Sequence, residues 1–251
     1  MRVVILGASS GLGRSVAVGL GETGHDVALL ARRVDRLEQT VADLGERAHA
    51  IRCDVTDEAQ CTEAVRAAAD VLGGIDALVY APGVAPLGRL TDLDADAWTR
   101  TLTTNVVGAA TATRAALDHL QASQGCAIYF SSVSASMTPA WPGLGAYIAS
   151  KAALDKMVEA WRVEHPEVGF TRLIVGDCGG GEGDSATGFT SEWDMDIAVE
   201  LGRQWYAKGY VAGALIDVNE LVRAVESIIS LGNTAVVPTM AVVPRVPRND
   251  G

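Results

Sequence analysis

The alternation of short apolar runs with helical stretches constrains the fold of this 251-residue chain more than any other feature. The apolar runs are continuous and rich in Val, Ile, Leu and Ala, which is typical of strands covered on both faces of a sheet. Strand, helix and strand follow one another repeatedly, and this order predicts a parallel sheet with right-handed crossovers. The sequence therefore predicts an α/β fold: a doubly wound parallel sheet in three layers, α/β/α.

The same pattern predicts where the elements lie. Strands are expected at residues 2–6, 27–31, 48–53, 77–80, 127–131, 170–175 and 235–243. Helices are expected at residues 11–21, 34–44, 58–72, 95–120, 147–164, 192–207 and 219–231. We find no repeat, linker or break in composition, so we expect a single domain over residues 1–251. The glycine-rich, acidic stretch 176–196 is predicted to be a mobile substrate loop, and residues 244–251 a tail.

Charge and cysteine usage exclude several classes of function. The formal net charge is −11, which opposes binding to nucleic acid or to an anionic membrane surface. No run is long and apolar enough for a membrane span, and from the first residues, M-R-V-V-I-L-G, we expect no secretory signal. The four cysteines show no C-x-x-C spacing. We therefore expect no disulfide framework, no metal site and a cytoplasmic location.

A glycine-rich turn follows the first predicted strand and opens the first predicted helix. It reads G-A-S-S-G-L-G, with glycines at Gly7, Gly11 and Gly13. Glycine allows a tight turn and a close approach of the backbone, and the start of a helix favours an anion. This position in a βαβ unit predicts a dinucleotide phosphate site. The residues expected to contribute are Gly7, Ser9, Ser10, Gly11, Leu12 and Gly13.

The end of the second strand indicates which dinucleotide binds. An acidic residue there would hold the ribose of NAD, whereas an arginine accommodates the 2′-phosphate of NADP. The strand ends A-L-L-A-R-R, with Arg32 and Arg33 at its tip and no acid before Asp35. Ser9 and Ser10 could add hydroxyl donors. We therefore expect NADP(H) to be preferred over NAD(H).

A tyrosine and a lysine lie one helical turn apart in Y-I-A-S-K, as Tyr147 and Lys151. The chain has only three lysines against seventeen arginines, so a lysine here suggests a specific requirement. A nearby ammonium favours the phenolate and is expected to lower the tyrosine's pKa from its free value of about 10. Such a phenol could donate a proton to a carbonyl oxygen or take one from an alcohol.

The turn G-x-x-x-G-x-G and the motif Y-x-x-x-K together resemble those of the short-chain dehydrogenase/reductase family of classical type. The resemblance spans nearly the whole chain and implies a Rossmann-like fold. It also implies a catalytic set of Asn105, Ser132, Tyr147 and Lys151, in which Ser132 orients the substrate oxygen and Asn105 holds a water beside Lys151. Ser134 has the spacing to the tyrosine that is usual in the family and remains the alternative to Ser132.

Other family positions either match or depart from the pattern. The resemblance places Asp54 and Val55 against the adenine. The family's N-N-A-G after the fourth strand is replaced by Y-A-P-G, which brings Ala81, Pro82 and Gly83 to the cofactor. The family's P-G after the sixth strand is replaced by Gly-Asp at residues 176–177, and Thr187 or Thr190 could supply the missing threonine contact.

These features predict an NADP(H)-dependent oxidoreductase that moves hydride between nicotinamide and a carbonyl/alcohol pair. The neighbourhood of Trp141, Phe189 and Trp193 suits an apolar or neutral small molecule. The alternative is a dinucleotide-binding sensor that has lost turnover, which the altered segments favour. The resemblance also implies a homodimer or homotetramer, joined through the helices that begin near Ala95 and Tyr147.

Overall fold

A computed structural model describes residues 1–180, 188–211 and 213–245 of the chain. Within these ranges the strands are β1 (Arg2–Leu6), β2 (Asp26–Ala31), β3 (Ala48–Arg52), β4 (Ala77–Tyr80), β5 (Cys126–Ser132), β6 (Gly169–Val175) and β7 (Thr239–Val242). They form one sheet in the order β3-β2-β1-β4-β5-β6-β7, and each neighbouring pair is parallel. The strand order reverses between β1 and β4. Such a switch point opens a crevice at the carboxyl ends of the strands.

Helices cover both faces of this sheet. They are α1 (Gly11–Glu22), α2 (Val34–Leu44), α3 (Glu58–Leu72), α4 (Ala95–Leu102), α5 (Gly108–Ser123), α6 (Val133–Ser136), α7 (Gly145–Glu164), α8 (Met195–Ala207) and α9 (Val218–Ile229). The predicted doubly wound, Rossmann-like α/β/α fold is confirmed.

The alternation of side chains along β1 shows why the fold needs both helical layers. Val3 and Ile5 point into one buried cluster, which α1, α2 and α9 cover. Val4 and Leu6 point into a second cluster, which α3, α5 and α7 cover. All four side chains are fully buried, because a strand at the centre of a three-layer sandwich has no solvent face.

Aspartates define the start of four helices. The side chains of Asp57, Asp94, Asp194 and Asp217 each accept a hydrogen bond from a backbone N–H in the first turn of α3, α4, α8 and α9. A carboxylate at this position satisfies a free donor and lies favourably at the positive end of the helix dipole. The sequence pattern predicted that α8 begins at residue 192. The cap at Asp194 explains why the helix begins at Met195 instead.

The predicted continuous helix over residues 95–120 is wrong in its centre. The α-helical pattern stops after Leu102, and Thr103–Val107 forms a π-helical segment before α5 begins. The buried hydroxyl of Tyr80 donates a hydrogen bond of 2.5 Å to the carbonyl oxygen of Thr104. A Cβ at Gly108 would lie 2.6 Å from that hydroxyl, so glycine leaves room for it. An inserted side chain of this kind is a known cause of local departures from the α-helix.

Smaller differences concern the ends of the elements. The short helix α6 was not predicted, α7 begins at Gly145 instead of Tyr147, and β7 is shorter than residues 235–243. Residues 181–187 of the predicted substrate loop and residues 246–251 of the predicted tail lie outside the described residues. Among the helices that are described, none has the length and apolar character needed to cross a bilayer.

Candidate active site

A cavity of about 840 Å³ opens at the carboxyl edge of the sheet, above β1, β4 and β5. It brings together nearly every residue that the sequence singled out. These are Gly7, Ser9, Ser10, Gly11, Leu12, Gly13, Arg32, Arg33, Asp54, Val55, Ala81, Pro82, Gly83, Ser132, Tyr147 and Lys151. Of the predicted set, Asn105 lies behind the wall of the cavity rather than on it.

The glycine turn is packed too tightly for any other residue at two positions. A Cβ on Gly13 would lie 2.4 Å from the carbonyl oxygen of Gly7. Gly7 has a φ of +79°, and its Cβ would lie 2.9 Å from the nitrogen of Pro82. Ser10 precedes α1 but its side chain does not cap the helix. The N-terminal N–H groups of α1 therefore face the cavity without a side-chain acceptor from Ser10, an arrangement that fits a phosphate.

The Arg33 guanidinium reaches across the glycine turn. It donates hydrogen bonds to the hydroxyl of Ser9, at 3.0 and 3.2 Å, and to the hydroxyl of Ser10, at 2.6 Å. Burial, followed by the charges of Arg36 and Arg32, lowers the pKa of Arg33. Three cations thus outnumber the carboxylate of Asp35 at this corner, where a further anion would relieve their repulsion. A guanidinium between two hydroxyls suits a phosphate monoester.

Asp54 also lines the cavity. Its carboxylate accepts hydrogen bonds from the backbone N–H of Thr56, at 3.0 Å, and from the Thr56 hydroxyl, at 2.7 Å. Burial alone would raise the pKa of Asp54, but these bonds and the charges of Arg32 and Arg52 together lower it. Asp57 caps α3, so Asp54 and Asp57 perform separate local functions.

Tyr147 and Lys151 project from one face of α7 into the cavity. The Lys151 ammonium lies 5.8 Å from the centroid of the Tyr147 ring and donates a hydrogen bond of 2.6 Å to the carbonyl oxygen of Phe130. Burial raises the pKa of Tyr147 to about 12, and the Ser132 hydroxyl partly opposes this shift. Burial lowers the pKa of Lys151 to about 8. The expectation that the lysine lowers the tyrosine's pKa is therefore wrong for this structure, because desolvation of the phenol dominates.

Ser132 and Ser134 lie together beside the tyrosine. Their hydroxyl oxygens are 2.9 Å apart, and Ser132 also accepts a hydrogen bond from the backbone N–H of Ser134. Both residues line the cavity, but Ser134 is buried whereas Ser132 is partly exposed. The Ser132 hydroxyl is the one that acts on the pKa of Tyr147. This geometry favours Ser132 over Ser134 as the partner of the phenol.

Asn105 lies in the π-helical segment and is fully buried. Its side-chain oxygen accepts from the backbone N–H of Val84 at 2.9 Å. Its amide group donates to the carbonyl oxygen of Val84 at 3.0 Å and to the Ser150 hydroxyl at 2.8 Å. Ser150 in turn donates to the carbonyl oxygen of Tyr147. Asn105 thus ties the segment after β4 to the helix of the tyrosine, while its role toward water stays a prediction.

Several residues of the site were not predicted. Asp155 does not line the cavity but is buried one helical turn beyond Lys151, and Trp205 of α8 lines the far end of the cavity. The spacing of Asp155 along α7 was a visible signal, whereas the approach of Trp205 depends on tertiary folding. Of the two threonines, Thr187 lies outside the described residues. Thr190 is exposed and does not line the cavity, which contradicts its predicted contact.

Comparison with known proteins identifies the family. A family model described as short chain dehydrogenase matches residues 1–181. The chain belongs to this family. Its motifs and its fold agree with this membership, and the chain is an oxidoreductase of the short-chain dehydrogenase family.

Characterised and uncharacterised relatives share about a third of the matched residues. Glycine betaine reductase of Emericella nidulans is 35% identical over 165 residues, which span 64% of this chain but only 13% of that protein. Farnesol dehydrogenase of Aedes aegypti is 33% identical over 168 residues, spanning 64% of this chain and 69% of that protein. An uncharacterized oxidoreductase of Listeria monocytogenes is 33% identical over 171 residues, spanning 66% and 68%. These names differ widely in substrate.

Solved structures confirm the fold of the described residues. An alcohol dehydrogenase from Thermococcus sibiricus in complex with 5-hydroxy-NADP is 25% identical, with a TM-score of 0.79, and the match covers 96% of this chain and 94% of that one. A closed form of serine dehydrogenase in complex with NADP+ has a TM-score of 0.83 at 22% identity, covering 100% and 98%. The latter likeness concerns the fold alone.

Proposed function

We propose that this protein is an NADP(H)-dependent oxidoreductase that interconverts a carbonyl and an alcohol, with Tyr147 as general acid and base. One observation carries the proposal. A single cavity holds a glycine turn and Arg33 at one end, and Ser132, Tyr147 and Lys151 at the other. A phosphate site and a proton donor in one crevice are what a dinucleotide-dependent reduction requires.

The phosphate end supports NADP(H) over NAD(H). Arg33 is held over the turn by Ser9 and Ser10, and Arg32 lies beside it. The ribose 2′-phosphate of NADP carries the charge that this corner would attract, whereas NAD offers only a hydroxyl there. The Thermococcus relative was solved with an NADP derivative, which agrees with this preference.

The reacting end supports proton transfer by Tyr147. With a pKa near 12, the phenol is protonated at neutral pH and can donate to a carbonyl oxygen. Ser132 is placed to orient that oxygen, and Lys151 supplies a positive charge behind the ring. A bound nicotinamide would supply or accept the hydride. A cation held near the developing alkoxide or phenolate lowers the cost of moving the proton.

The second candidate is a dinucleotide-binding sensor without turnover. The position of the Lys151 ammonium favours it, since that group donates to the carbonyl oxygen of Phe130 and leaves the pKa of Tyr147 high. The altered Y-A-P-G stretch does not add to this case. Tyr80 packs beneath α5 and bonds Thr104, so its substitution is accounted for by the core.

The test separates binding from turnover. NADPH and NADH are titrated by tryptophan fluorescence, and NADPH consumption is followed with a panel of aldehydes and ketones, for the parent and for Tyr147→Phe. We expect tighter binding of NADPH than of NADH and turnover in the parent. We expect Tyr147→Phe to bind NADPH as the parent does and to lose at least about a hundredfold in kcat. Binding without any turnover by the parent would favour the sensor.

The remaining expectations are part of this proposal. We infer a cytoplasmic enzyme of one domain, with a small-molecule substrate, no nucleic-acid or membrane partner and no metal, assembled as a homodimer or homotetramer. Leu102 and Val107 support assembly, because both are exposed apolar side chains on the α4–α5 stretch. Light scattering coupled to size-exclusion chromatography would report the assembled mass, and a monomer would overturn this part alone.

A further inference from the structure

We propose that the end of the cavity beyond Tyr147 binds a neutral, bulky apolar group, so that the substrate is an aldehyde, ketone or alcohol with a branched or cyclic hydrocarbon part. This inference rests on the proposed function and names the substrate class of that same site. It is carried by the chemistry of the described side chains around this end of the cavity.

Aromatic rings from three separate segments form this end, which we term the aromatic wall. Five close ring pairs connect its members, with centroids 5.1 to 6.1 Å apart. The members are Trp141, Tyr147, Phe189, Trp193, Trp205 and Tyr210. All of them except Tyr210 line the cavity directly. The wall begins at the proposed proton donor, so a group seated on it would lie next to the reacting carbonyl.

The indole N–H groups of the wall are used by the protein itself. Trp193 donates to the carbonyl oxygen of Ala85, at 2.8 Å, and Trp205 donates to that of Pro142, at 2.8 Å. Trp141 donates to the Thr138 hydroxyl at 2.9 Å. With their polar edges engaged, the three indoles present hydrocarbon surface to the cavity. A polar substituent on the substrate would lose its hydration there and gain no indole hydrogen bond in return.

Two charged residues near the wall form an ion pair with each other. Arg100 of α4 and Glu192, just before α8, both line the cavity, and their charged groups are 3.0 Å apart. A charged substrate would have to compete with this existing ion pair. The chain's net charge of −11 further opposes an anionic substrate.

An aromatic wall can also attract a cation, but only through exposed ring faces. Here the rings cover one another. Trp141 is stacked on Tyr210 with an interplanar angle of 17°. Trp193 and Trp205 meet at 71°, and Tyr147 and Phe189 at 77°, so in each pair the edge of one ring lies against the face of the other. Each such contact occupies the negative face of one ring, so fewer ring faces of the wall are left to attract a cation.

The test compares molecules of equal shape and different charge. The substrates are tert-butylacetaldehyde, its cationic isostere trimethylammonioacetaldehyde, and acetaldehyde as the truncated reference, each reduced with NADPH. We expect kcat/KM for tert-butylacetaldehyde to exceed that of either other aldehyde by at least about tenfold, as for hydrocarbon groups in an apolar pocket. Binding of the corresponding alcohols, tert-butylethanol and choline, is measured without turnover by tryptophan fluorescence, and tert-butylethanol should bind more tightly.

Three variants test whether the wall causes this preference. Trp193→Ala removes a partly buried ring from the wall, and Tyr206→Ala removes a 71% exposed ring from α8 that does not line the cavity. We expect Trp193→Ala to cut the preference for tert-butylacetaldehyde over acetaldehyde at least about fivefold, and Tyr206→Ala to leave it unchanged. Trp193→Phe keeps a ring and should retain most of the preference, which separates loss of the wall from general damage.

The outcomes distinguish this inference from the proposed function. Faster reduction of the cationic isostere, or equal rates for all three aldehydes, would overturn the apolar pocket while the oxidoreductase stands. Equal preference in Trp193→Ala and the parent would also overturn it. Binding of tert-butylethanol, weakened in Trp193→Ala, without turnover of any aldehyde would support the pocket and count against the proposed reaction.

Discussion

Lys151 and Asp155 lie one helical turn apart on α7, and both are nearly completely buried, with 3% and 5% of their surface exposed. The carboxylate lies 3.6 Å from the Arg172 guanidinium of β6, which also faces Glu159. Burial raises the pKa of Asp155, and the Ser131 hydroxyl and the two cations partly oppose this shift. Its negative charge in turn opposes the effect of burial on Lys151. The buried ammonium thus depends on a carboxylate that does not line the cavity.

The first prediction concerns the pKa of Lys151. Burial lowers it from 10.5 to about 8, so the unfolded chain binds more protons on this group between those pH values. The contribution of Lys151 to the stability of the folded state therefore rises with pH across that window. In Asp155→Asn the pKa of Lys151 should fall further, because a favourable charge is lost. NMR of lysine labelled with nitrogen-15 or carbon-13 would measure this directly.

The chain has only three lysines, which simplifies the assignment of this titration. Of the three lysines, Lys156 is 80% exposed and Lys208 is also exposed, which leaves Lys151 as the one buried lysine. Glu159→Gln removes a more exposed carboxylate from the same helix and should move the pKa of Lys151 less than Asp155→Asn does. An unchanged Lys151 titration in Asp155→Asn would show that Asp155 serves only the ion pair with Arg172.

The second prediction concerns cofactor choice. Arg33→Ala removes the guanidinium that bonds Ser9 and Ser10, and we expect it to weaken NADPH binding by about 1.5–3 kcal/mol while NADH binding changes little. Arg47→Ala is the matched control, because Arg47 bonds the carbonyl oxygen of Gly24 and does not line the cavity. Isothermal titration calorimetry would measure both. Equal weakening of NADPH and NADH would contradict a role at the 2′-phosphate.

The third prediction compares two helical glycines. A Cβ at Gly13 would meet the Gly7 carbonyl oxygen at 2.4 Å, whereas a Cβ at Gly202 in α8 has no atom within 4 Å. Gly13→Ala should therefore lower the melting temperature and abolish dinucleotide binding. Gly202→Ala should stabilise the protein by about 0.5–1 kcal/mol, because alanine loses less backbone entropy in a helix. Thermal unfolding with and without NADPH would show both effects. A tolerated Gly13→Ala would argue against the tight turn.

The sequence predicted the sheet and most of the cavity for a physical reason. Strand runs such as V-V-I-L in β1 are buried on both faces, and residues at the carboxyl ends of parallel strands must meet at one edge. Ser132 after β5 and Arg33 after β2 could therefore be placed together without coordinates.

The sequence pattern could not predict features that depend on tertiary contacts. The π-helical segment follows from the approach of Tyr80 to Thr104, two residues far apart in the chain. The raised pKa of Tyr147 follows from burial, which the spacing to Lys151 does not reveal. The aromatic wall joins Trp141 to Trp205, and no local period connects them. Charge and spacing were visible in the sequence, whereas desolvation and packing were not.

The last prediction concerns Asn105. Its fully buried side chain makes three hydrogen bonds, two to the backbone of Val84 and one to Ser150, and these bonds join the π-helical segment to the segment after β4 and to α7. Asn105→Ala would leave these partners unsatisfied, so we expect a loss of about 2–4 kcal/mol in the free energy of unfolding. Asn233→Ala, which removes one exposed bond to Gln124, should cost less than about 0.5 kcal/mol. Urea denaturation would measure both, and equal losses would show that these bonds do not hold the segment in place.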